Sequence, residues 1–85
     1  MDNFYKLPLL LEPQPEGGWT ITCPLLPGLI TEADTFEEIS ANVADALEAI
    51  IEGYDDLDEP LPEVLRPVGN NVPMIADTLI HLEAA

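Results

Sequence analysis

The run from Thr35 to Tyr54 constrains this chain most. Phe36, Ile39, Val43, Leu47, Ile50 and Tyr54 recur at steps of three and four, with Ala46 and Ile51 beside them. That spacing places them on one stripe of a 3.6-residue helix. Glu37, Glu38, Asp45, Glu48 and Glu52 take the other faces. Thr35 and Glu38 have the T-x-x-E form of a capping box, in which each side chain satisfies an orphan backbone N–H; Asp34 and Glu37 repeat that register one residue earlier. No Pro or Gly interrupts the chain between Thr35 and Glu52, so about five turns are allowed. A helix apolar on one side must lay that side on another layer.

The residues before it supply a sheet. From Gly18 to Cys23, Trp19, Ile21 and Cys23 alternate with Thr20 and Thr22, the period of a half-buried strand ended by Pro24. Leu26-Pro27-Gly28 suits a type II turn, with Pro at its second position and Gly at its third. Leu29 to Ala33 reads as the next strand, with Leu29, Thr31 and Ala33 on one face. Upstream, Phe4 to Glu12 has the length of a strand, although Pro8 cannot donate to a ladder and needs an edge or a bulge. Pro13 to Gly18 is turn chemistry. These segments make an antiparallel meander covered on one face by the helix.

Past the helix, Gly53 is a candidate C-cap. Asp55, Asp56, Asp58 and Glu59 lead into a connection punctuated by Pro60 and Pro62. Val64 to Val68 can add a few extended residues, and Gly69-Asn70-Asn71 is a turn. Pro73 to Glu83 fits two periods. As a strand it puts Ala76, Thr78, Ile80 and Leu82 on one face; as a helix it aligns Ile75, Leu79 and Leu82. Periodicity does not decide between them, and a fourth strand is the expectation taken. The fold class is therefore α+β, a single domain over residues 1–85: a three-stranded antiparallel meander, one long helix and a C-terminal strand.

Charge narrows the function. Seventeen acidic residues face only Lys6 and Arg66, a net charge of −15. Unaided nucleic-acid binding needs cations to neutralise phosphates, and an anionic membrane repels such a surface. A basic partner is favoured instead, the plain alternative being a solvated acidic face. Hydrophobic residues make up 47% of only 85, more than one small core uses, so self-association is expected. The lone Cys23 excludes an internal disulfide, and no basic-then-apolar leader opens the sequence. A cytoplasmic protein is the expectation.

Catalysis finds little to work with. The chain has one cysteine, Cys23, and one histidine, His81, and nothing in their contexts joins them. Cys23 alternates with Trp19 and Ile21 and reads as a buried, inert thiol. The run Asp55-Asp56-Leu57-Asp58-Glu59 lacks the glycine and spacing of a calcium loop. No metal, cofactor or catalytic residue is expected. Glu48, Glu52, Asp55 and Asp56 gather instead at the negative end of the helix dipole, and no Lys or Arg lies between Lys6 and Arg66 to offset them. They are the candidate contact residues for a cationic partner.

Several pieces occur here in a particular order. Glu16-Gly17-Gly18-Trp19 comes first, then Pro24-Leu25-Leu26-Pro27-Gly28, then Thr31-Glu32-Ala33-Asp34-Thr35, then Glu37-Glu38 and Asn42, and Pro60-Leu61-Pro62 after the helix. In that order and spacing, over about residues 4 to 66, the chain resembles the HicB family of antitoxins. Ala33 stands where that family usually has Gly, and Leu29 where a Cys often follows the Pro-Gly pair. The resemblance implies a partial ribonuclease-H-like fold without a ribonuclease active site, and binding of HicA, a small basic RNA-cleaving toxin. Many such proteins carry a further DNA-binding module; nothing after Arg66 looks like one. A solo, self-assembling acidic scaffold of the same fold is the second reading, and a carboxylate-dependent metal enzyme the third.

Overall fold

The computed structural model describes residues 3–84. Three antiparallel strands, β1 (Leu10–Pro13), β2 (Trp19–Thr22) and β3 (Ile30–Ala33), lie in the order β1-β2-β3. A 3-10 turn, Phe36–Glu38, leads into the helix α1 (Ile39–Asp56), and a second 3-10 turn, Glu63–Leu65, follows.

Sheet register follows from the turns. Gly17 N–H donates to the Gln14 carbonyl and Gln14 N–H to the Gly18 carbonyl, both at 3.0 Å. This closes the β1–β2 connection and pairs Leu11 with Ile21 and Pro13 with Trp19. Gly18 is required twice over. Its φ is +84°, and a Cβ there would lie 2.8 Å from the Ala33 carbonyl oxygen. Ala33 itself does not adopt a positive φ, so a methyl costs no backbone strain where the resembling family has Gly. The Leu26–Leu29 turn is closed by Leu29 N–H to the Leu26 carbonyl at 2.9 Å. Gly28 has no positive φ, so this is not the expected type II turn, which needs one at its third residue.

The alternation sorts correctly. Ile21, Cys23, Leu29 and Ala33 are buried against Ile39, Val43 and Leu47 of α1. Phe36 leaves the stripe and is largely exposed, because it sits in the tighter 3-10 turn, whose residues advance by a different angle. At that entry the Thr35 N–H and hydroxyl both donate to Glu38 Oε1, at 3.1 and 2.9 Å. Asn42 Nδ2 donates to the Glu32 carbonyl at 2.8 Å and ties α1 to β3.

Four further expectations are corrected. First, α1 runs through Gly53 to Asp56. It ends in a Schellman arrangement: Glu59 N–H donates to the Tyr54 carbonyl and Asp58 N–H to that of Asp55, with Asp58 at φ +52°. Second, the leading strand shortens to Leu10–Pro13, with Phe4 forming only an isolated bridge to Val68. Pro8 cannot continue the ladder. Third, the stretch from Val64 to Val68 is extended only in its second half: Glu63–Leu65 is a turn that drives Leu65 fully into the core, while Arg66 is extended and Val68 bridges Phe4. Fourth, Pro73 to Glu83 forms neither strand nor helix. A strand exists only through a partner, and among the described residues no backbone group of this segment bonds to the rest of the chain.

Candidate partner-binding groove

Tyr5, Leu7 and Leu9 pack on the core from the segment that precedes β1. That segment runs beside α1, held at its start by Val68 N–H donating to the Phe4 carbonyl at 2.8 Å. Between the two lies a groove of about 830 Å³. Phe4, Tyr5, Leu47 and Ile51 form its apolar walls and floor, and Glu48 and Glu52 its rim. The trough continues toward the start of α1, past Val43, Ile39 and the exposed Phe36.

The four acidic residues singled out from the sequence therefore divide. Glu48 and Glu52, one turn apart, border the groove. Asp55 and Asp56 fall in the last turn of α1, exposed and outside the groove lining. All lie on the same half of the helix by their spacing of four, seven and eight residues. No basic residue occupies the last turn to balance the dipole. Among the described residues the one ion pair is Arg66 with Glu63 at 3.1 Å, on the surface, so Glu48, Glu52, Asp55 and Asp56 have no cation of their own.

Phe4, Tyr5 and Ile51 are part of this surface and were not candidates from the sequence. A strand running from Phe4 to Glu12 would put Phe4 and Tyr5 on opposite faces. Because the segment is irregular at that point, both reach the groove. Ile51 had a signal, since it sits beside the helix stripe without completing it.

The remaining chemistry-bearing groups are dispersed. Cys23 is buried and reduced, and His81 is exposed on the C-terminal segment. Among the described residues no three His, Cys, Asp or Glu side chains converge as a metal site. Asp58, from the acidic run, serves as the left-handed residue that stops α1. Among those residues no helix is long and apolar enough to cross a membrane. What the arrangement offers is an apolar strip with a negative border, suited to a cationic protein surface that buries some apolar area.

No family model matches the chain. It is 37% identical over 69 residues to a UPF0150 protein of Synechocystis sp., covering 78% of this chain and 87% of that protein. A second UPF0150 protein of Synechocystis sp. is 32% identical over 59 residues, 68% of this chain and 82% of that one. Antitoxin HicB 1 of Photorhabdus laumondii subsp. laumondii is 35% identical over 83 residues, 93% of this chain. The alignment spans 53% of that antitoxin, about half its length.

Proposed function

The chain belongs to the UPF0150 family, and from that premise we propose that it is the antitoxin of a toxin–antitoxin pair, binding a small basic HicA-like toxin that cleaves RNA. The similarity to a HicB antitoxin along nearly the whole chain supports the antitoxin role. The observation that carries the partner's chemistry is the groove beside α1, lined by apolar side chains and by Glu48 and Glu52, which have no ion-pair partner among the described residues.

The physical route is competition. A ribonuclease must present cations to RNA, and a protein of net charge −15 is drawn to the same surface. Opposite charge speeds the encounter and turns away anionic competitors. Phe4, Tyr5 and Ile51 then supply the apolar burial that slows dissociation. Asp55 and Asp56 extend the negative field beyond the groove. The protein performs no reaction in this reading and acts in the cytoplasm, where its toxin would otherwise meet RNA.

A second reading, a self-associating scaffold without a toxin, is favoured by the apolar side chains exposed after Val68. Co-expression with the basic protein encoded beside it separates the two. The antitoxin reading expects a stable complex and rescue of growth. A stable assembly of this chain alone, with no rescue, would abandon it for the scaffold.

A further inference from the structure

We propose that residues 73–83 are an exchange arm that packs on a second copy of this chain. Met74, Ile75, Leu79, Ile80 and Leu82 are all at least two-thirds exposed, Ile75 at 99% and Leu79 at 96%. No backbone group of this arm is bonded to the body among the described residues. A single soluble chain rarely leaves that much contiguous apolar surface open. The molecule is also elongated. Its Cα radius of gyration is 15.1 Å and its longest extent 58 Å against a shortest of 22 Å. A compact chain of this length has a radius of gyration of about 12 Å.

Charge selects the occupant. Two bodies of this acidity repel each other, so self-association needs a weakly charged contact. The arm is such a contact: from Pro73 to Glu83 its carboxylates are only Asp77 and Glu83. A cationic partner, by contrast, is drawn to the acidic half of α1 and gains no charge complementarity from the arm.

The receiving surface is on the sheet face opposite α1. Register aligns Leu10, Thr22 and Ile30 across all three strands. Leu10 and Ile30 are at least half exposed there, as is nearby Leu25. The opposite end of the same face is polar, with Gln14 Nε2 donating to Thr20 Oγ1 and Glu32 Oε1, each at 3.0 Å. Met74 and Ile75 begin the arm beside Leu7, Pro8, Leu25 and Val64, and Met74 also lines the trough beside α1, so the arm leaves the body away from the Leu10–Ile30 end of its own sheet. Reciprocal exchange gives each copy both roles, as a two-fold interface requires.

The test uses the purified full chain alone, so it stands apart from the toxin reading. Light scattering after gel filtration at micromolar concentration should give at least twice the 9.3 kDa chain mass. Leu79→Asp/Leu82→Asp on the arm and Ile30→Asp on the sheet should each return the mass to that of one chain. Circular dichroism should stay unchanged, because none of these side chains belongs to the core. A monomeric wild-type chain, or an assembly that survives either substitution, overturns the proposal. The first result would leave the arm to a different protein.

Discussion

Ile21 and Ile75 are the same residue in two regions that meet opposite fates: one is fully buried, the other 99% exposed. Both occur in short segments read from the sequence as strands and preceded by turn residues. The difference lies in what surrounds them. Ile21 is central in a sheet whose two connections fix register, and α1 lies across it. Ile75 follows Gly69-Asn70-Asn71, and among the described residues no strand comes after it and no bonded strand lies beside it. Hydrophobicity supplies the tendency to be buried; a neighbour held in register decides whether burial happens within the chain.

The largest expected effect contrasts the two directly. Ile21→Ala or Leu65→Ala empties a fully buried site and should cost about 2–5 kcal/mol in urea unfolding. Leu79→Ala, on a chain kept dilute enough to be monomeric, should stay within about 0.5 kcal/mol of wild type. Comparable losses at both places would erase the distinction between core and arm.

A smaller effect probes the turn that sets register. Gly18→Ala introduces a Cβ against the Ala33 carbonyl at a positive φ. A loss of about 1–3 kcal/mol is expected. Amide exchange should show it spreading along β1–β2, whereas the arm should be insensitive. The smallest effects are gains at the end of α1. Asp58→Gly relieves a left-handed carboxylate residue, and Gly53→Ala fills a helical position where a Cβ meets nothing within 4 Å. Each should stabilise by about 0.5–1 kcal/mol in thermal unfolding. A loss at either position would mean that the helix ends elsewhere.

The well-read parts of the fold share one property: their pattern and their partner were both local. The α1 stripe from Ile39 to Leu47, the Thr35–Glu38 cap and the alternation of Trp19 to Cys23 needed only neighbouring residues. Asn42 appeared as a motif residue, and the structure supplies its reason in the bond to the Glu32 carbonyl. The misread parts depended on distant partners. Leu65 enters the core from beyond an acidic, proline-punctuated link that resembled linker. Gly53 looked like a stop because its chemistry suits one, but the chain stopped where Asp58 could turn. Pro73 to Glu83 had a strand's composition and no ladder. For the candidate groove, the acidic rim at Glu48 and Glu52 was visible as charge. Its apolar wall at Phe4 and Tyr5 was hidden by an assumed strand.

The central claim is that the acidic half of α1 captures a cationic partner. The most direct measurement is the association rate of this chain with the basic protein encoded beside it, followed by stopped flow across ionic strength. At low salt, Glu48→Lys/Glu52→Lys should slow association by about tenfold or more, the difference closing as salt rises. Equal rates for the two chains at every salt concentration would contradict the claim.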